Sequence, residues 1–131
     1  MGVLLQIHSV ARWLALIAAV AVVGKFAVGL VRRSAFSRAD GLLGALYSWV
    51  LDVQSLVGVA LLGGLVVQEG GLPPANRILH ALAMFFAVAA AHQTARWRKA
   101  ADARRFRNGL IAYCLSLTLV LLGIAVIVQS G

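Results

Sequence analysis

The chain has 131 residues, and 62% of them are apolar, against roughly 45–50% in a typical soluble domain. Only 12 Lys plus Arg and 4 Asp plus Glu carry formal charge, and the stretches between them are almost purely Leu, Ala, Val, Ile and Gly, the composition of repeated membrane spans. The length excludes a nucleotide-binding fold joined to a separate catalytic domain, and the one cysteine, Cys114, excludes an intrachain disulfide and a multi-cysteine metal site.

Four apolar segments follow one another along the chain. Residues 4–31 are interrupted only by Gln6, His8, Ser9, Arg12 and Lys25 and stop at Arg32-Arg33. They lack the basic start and small-residue cleavage site of a secretory signal, so they are expected to be a retained span. Residues 42–67 form the second segment, with Asp52 and Gln54 inside it, and give way to Gln-Glu-Gly-Gly-Leu-Pro-Pro at 68–74. A proline pair suits the first turn of a helix, where a missing N–H leaves nothing unsatisfied, so the third segment is expected over about 74–97. Asn108-Gly109 marks the approximate start of the fourth, which ends near Gln129. At 1.5 Å rise per residue, about 20 residues cross the ~30 Å hydrocarbon layer, and a backbone in lipid must satisfy its own hydrogen bonds, so all four are expected to be helices. The short connections predict one all-α domain, an integral membrane four-helix up-and-down bundle.

The basic residues are unevenly placed. Arg32, Arg33 and Arg38 lie in one connection and Arg96, Arg98, Lys99, Arg104, Arg105 and Arg107 in another, nine of the 12 on one side. The positive-inside rule puts both loops in the cytoplasm and both termini outside. The same distribution accounts for the net charge of +8 through topology and anionic lipid headgroups, with no nucleic-acid partner required.

Ionisable groups within a bilayer face the bundle interior by default and mark a functional site. His8 and Arg12 lie on the first segment, Arg77 and His80 on the third, and both histidines fall on the order of 6–9 Å below the outer boundary. Segments one and three are diagonal in an up-and-down bundle, so the imidazoles can face each other across its axis, an arrangement suited to bis-imidazole ligation of haem iron. Arg77, and one turn deeper than His8 the side chain of Arg12, are candidates to bind haem propionates; headgroup or carbonyl pairing are the plainer alternatives. Ala15, Ala19, Ala83, Ala87 and Ala91 leave room for a flat macrocycle, or simply let helices pack closely.

A second polar set, Lys25, Asp52, His92 and Tyr113, lies nearer the cytoplasm. Lys25 is the first expected partner of Asp52 and His92 the next. Such a cluster could relay protons or hold a quinone headgroup, or be an ion pair that fixes helix register, which is the preferred reading. His92 follows His80 by 12 residues, an angular offset of about 120°, so the two do not share a face and one monomer holds at most one bis-His haem.

The stretches Ile7-His8-Ser9-Val10-Ala11-Arg12-Trp13, Leu51-Asp52-Val53-Gln54-Ser55-Leu56-Val57-Gly58, Leu72-Pro73-Pro74 and Leu79-His80-Ala81-Leu82-Ala83 together resemble one four-helix half of haem A synthase. Order, spacing and direction agree over about residues 5–97. The chain is also similar to short four-span bacterial proteins labelled cytochrome b. The resemblance implies haem b held by His8 and His80, Gln54 and Gly58 lining the neighbouring helix, and a place in the bacterial cytoplasmic membrane. Two positions depart from the synthase motif, which has glutamate where Leu5 stands and arginine where Ser9 stands. With only one half represented, the resemblance implies haem binding rather than oxygenase chemistry.

A single-haem membrane cytochrome passing electrons between a quinol or membrane dehydrogenase and an outer-face partner is the leading expectation. Two alternatives stay open: a haem-free scaffold subunit of a respiratory or photosynthetic complex, and a small dimeric transporter using Asp52. No phosphate-binding glycine loop or nucleophile–base arrangement suggests an autonomous enzyme.

Overall fold

The computed structural model describes residues 2–130 and folds them into four long helices, with no strand among the described residues. Helix α1 spans Gly2–Val31, α2 spans Arg38–Glu69, α3 spans Ala75–His92 and α4 spans Asp102–Ser130. A 3₁₀ segment, Gln93–Trp97, continues α3. With that extension all four are long and apolar enough to cross a membrane, the shortest having 23 residues. That length corresponds to about 34 Å, more than the ~30 Å hydrocarbon core.

Local chemistry sets the ends. Ser37 caps α2: its Oγ accepts from the Asp40 backbone N–H at 3.3 Å, while Asp40 Oδ2 accepts from the Ser37 N–H at 2.8 Å. This reciprocal box starts the helix at Arg38, four residues before the apolar run that marks it in the sequence. At the other end Gly70 adopts φ 71°, the left-handed conformation glycine takes at no steric cost, and donates its N–H to Val66 O. Pro74 precedes α3, as its missing N–H allows.

Helix α4 begins at Asp102, so Asn108-Gly109 lies inside it rather than at its start. Gly109 has a packing role instead: a Cβ there would overlap the Phe26 ring of α1, and a Cβ at Gly29 of α1 would overlap the Phe106 ring of α4. Each helix thus receives the other's phenylalanine in a glycine notch. Phe26 meets Phe106, Phe36 and Tyr113 edge-on, at centroid distances of 5.6, 5.5 and 5.2 Å. Such pairs contribute about 0.5–1.5 kcal/mol each beyond area burial.

Consecutive helices run antiparallel. Gln54 meets His8 and Asp40 meets Lys25 between α2 and α1, while His80 meets Gly123 and Ser116 meets Ala87 between α3 and α4. Each helix packs on its two neighbours in a ring, and α1 and α3 are diagonal, no Cα of one coming within 8 Å of the other. The tight core occupies the end near the basic loops: Val22, Tyr47, Leu51, Phe106 and Ser116 are fully buried there. Ser116 ties three helices together, donating to Ala87 O of α3 at 2.8 Å and accepting from the Tyr47 hydroxyl of α2 at 2.7 Å. Large apolar side chains cover the outside, among them Trp13 and Ile17 on α1, Trp49 and Leu56 on α2, Phe85 on α3 and Leu122 on α4. The opposite half of the bundle is open.

Candidate functional site

His80 is the sixth residue of α3 and stands against α4 at Gly123, which is buried. Its Nδ1 lies 2.8 Å from the Gly123 carbonyl oxygen. A carbonyl only accepts, so Nδ1 carries a proton, and in the neutral tautomer the lone pair is then on Nε2. A backbone acceptor of this kind both orients a metal-ligating imidazole and selects its tautomer. Gly123 makes room for the contact, since a Cβ there would sit 3.4 Å from His80 Nδ1 and 3.3 Å from Met84 Sδ.

His8, the seventh residue of α1, faces His80 across the bundle, with ring centroids 6.3 Å apart and planes at 77°. Two imidazoles on opposite sides of one metal, at about 2 Å per metal–nitrogen bond, bring their centroids to about 6 Å. Gly58 of α2 stands at the edge of the His8 ring: a Cβ there would meet Cε1 at 3.3 Å. Gln54, one turn earlier, is buried and donates from Nε2 to the His8 carbonyl at 2.7 Å, pinning this part of α1 to α2. His8 Nδ1, Gln54 Oε1 and Ser55 Oγ are buried without a hydrogen-bond partner among the described residues. Buried polar atoms in a folded protein are nearly always satisfied, so this group calls for water or a ligand.

These side chains line one cavity of about 710 Å³, within the roughly 300–1,000 Å³ usual for small-molecule and cofactor sites. All six residues singled out as cofactor-binding in the sequence, His8, Arg12, Gln54, Gly58, Arg77 and His80, lie on its wall. Its remaining surface is largely apolar, including Leu62, Met84 and Phe85. Arg77 is exposed, while Arg12 is half-buried with its guanidinium 5.5 Å from the Trp13 ring centroid. Neither arginine has a carboxylate within ion-pair distance among the described residues.

The donor set limits the chemistry. Among the described residues no three His, Cys, Asp or Glu side chains converge on one point, whereas a closed mononuclear site such as structural zinc takes four protein ligands. A macrocycle that brings its own equatorial nitrogens needs only two axial imidazoles. The pair, the unpartnered polar atoms, the apolar cavity and the two arginines fit haem.

The second polar set does not form one cluster. Lys25 binds Asp40 at 2.9 Å, not Asp52. In the antiparallel register the first turn of α2 is level with Lys25, and Asp52 lies 12 residues further along, about 18 Å away. Asp52 instead accepts from His92 Nε2 at 2.8 Å, and this pair is exposed on the outside of the bundle. Tyr113 is buried elsewhere, 5.7 Å from the Tyr47 ring, with its hydroxyl 3.2 Å from Thr94 Oγ1. Lys25, Asp52 with His92, and Tyr113 thus make three separate contacts, the Asp52–His92 pair being the second of the two partnerships considered for Asp52. Asp40 and the Gly123 carbonyl escaped the sequence reading; Ser37-Arg38-Ala39-Asp40 carried a capping signal for the first, and a backbone oxygen has none. Comparison with protein-family models, curated proteins and solved structures finds no match to this chain.

Proposed function

We propose that this chain is an integral membrane b-type cytochrome that binds one haem between His8 and His80 and transfers electrons. The observation that carries the proposal is the histidine pair: two imidazoles from diagonal helices, 6.3 Å between centroids, on the wall of a large apolar cavity. Haem bound there would supply one-electron transfer. His80 offers Nε2 because Gly123 holds the Nδ1 proton, and His8 offers the second ligand. Gln54 holds the His8 backbone in place. Arg12 and, from the more exposed side, Arg77 would neutralise the propionates. The packed aromatic core below the cavity keeps water from entering through the basic-loop end.

In the bilayer the Arg-rich connections face the cytoplasm, which sets the haem near the outer leaflet. The fitting partners are a quinol or membrane dehydrogenase as donor and a redox protein at the outer face as acceptor.

Variants of the three histidines test this assignment. With haem supplied during expression, His8→Ala and His80→Ala are each expected to lose the low-spin spectrum, while His92→Ala keeps it. An unchanged spectrum in both cavity variants would rule out the ligand pair.

A further inference from the structure

Asp52 and His92 stand out once the bundle is placed in a bilayer. Both lie within membrane-spanning segments, yet their side chains are 41% and 51% exposed, on the outside of α2 and α3. Ionisable groups at such depth are almost always turned toward protein rather than lipid. The surface around them is continuous. Asp52, Leu56, Val59 and Gly63 follow one another at helical spacing along one side of α2, and Leu56 and Val59 are among its most exposed side chains. Leu82, Phe85 and His92 form the matching exposed row on α3. Val59 and Phe85 are both exposed and on the cavity wall, so the cavity opens on this same face.

We propose that this face is the interface with a second copy of the chain, centred on the Asp52–His92 pair. The pair is complementary to itself. Within one chain it uses a single bond, His92 Nε2 to Asp52 Oδ1. A charged imidazole has N–H groups at both Nδ1 and Nε2, so around a twofold axis each His92 can turn its second ring nitrogen to Asp52 of the other copy. Two such pairs close into a ring of the isologous kind that C2 dimers use. Gly63 has no neighbour within 4 Å at its Cβ position, so a second helix can approach α2 closely above the ring. A second copy on this face would also cover Val59 and Phe85 on the cavity wall. The proposal rests on the membrane placement above but not on haem.

Cysteine cross-linking of the full chain in native membranes tests it. Cys114→Ser removes the single native thiol. Leu56→Cys, one turn from the expected axis, is then compared with Ile17→Cys on the exposed side of α1. Alkaline carbonate extraction of the same membranes establishes insertion independently. A carbonate-resistant chain that forms a disulfide dimer through Leu56→Cys but not Ile17→Cys is the expected result. Asp52→Asn combined with His92→Gln should weaken association of that dimer about tenfold, as loss of interhelical polar contacts does. An inserted chain that stays monomeric, cross-links equally at both positions, or cross-links through Leu56→Cys to a different subunit overturns the second-copy interface. Extraction of the chain by carbonate overturns the membrane placement itself.

Discussion

Gly58→Val changes the site without altering either of the proposed ligands. In an exposed helix interior, glycine is the poorer helix former, about 1 kcal/mol worse than alanine, and valine recovers part of that difference. By propensity alone the substitution therefore stabilises α2. Contact opposes it, because the first added carbon already lies 3.3 Å from His8 Cε1 and valine branches there with two further methyls. Forcing such atoms into a filled site costs about 1–3 kcal/mol. His8 can escape by swinging away from α2, which misaligns it with His80. If that strain falls on the bound form, haem affinity drops about 5- to 150-fold. Gly24→Val on α1, outside both the cavity and the proposed interface, is the matched control, with the same change in propensity and nothing within 4 Å of the new Cβ. Titrating haem into both variants in detergent, with helicity followed by circular dichroism, reads the difference. Gly58→Val is expected to bind weakly at native helicity and Gly24→Val to bind like wild type. Equal affinities in the two variants would refute the placement of His8 against Gly58 as a ligand.

Two stability comparisons follow from the core. Ser116→Ala strands the buried Tyr47 hydroxyl and is expected to cost about 1–3 kcal/mol, whereas Tyr47→Phe leaves Ser116 bonded to Ala87 O and should cost less; denaturant titration in mixed micelles ranks them. Asp40→Ala removes the carboxylate half of the α2 cap together with the Lys25 partner, so it should cost about 1–2 kcal/mol, and Lys25→Met, which leaves the cap intact, should cost less in the same assay.

Some of this architecture was visible in the residues and some was not. The four helices follow from apolar runs separated by Arg32-Arg33, the Gly-Gly-Leu-Pro-Pro stretch and the second basic cluster, because length and composition are one-dimensional properties. Likewise, counting residues from the helix ends sets His8 and His80 at one depth, and alternation of direction makes their helices diagonal. Pairings between helices depend on register, and register depends on where each helix starts. Reading α2 from residue 42 rather than from the Ser37 cap hid Asp40 and left Asp52 as the apparent partner for Lys25. Gly109 looked like a boundary because a turn and a close packing contact select the same residue. The Gly123 carbonyl that sets the His80 tautomer belongs to the backbone, so no residue type announces it.

The most direct test of the central claim is a reduced-minus-oxidised visible spectrum of the detergent-purified wild-type chain, produced with haem supplied, together with a pyridine haemochrome assay. A sharp low-spin signal at one haem per chain is the result expected from paired axial imidazoles. A folded, helical protein that stays colourless under these conditions would contradict the cytochrome assignment.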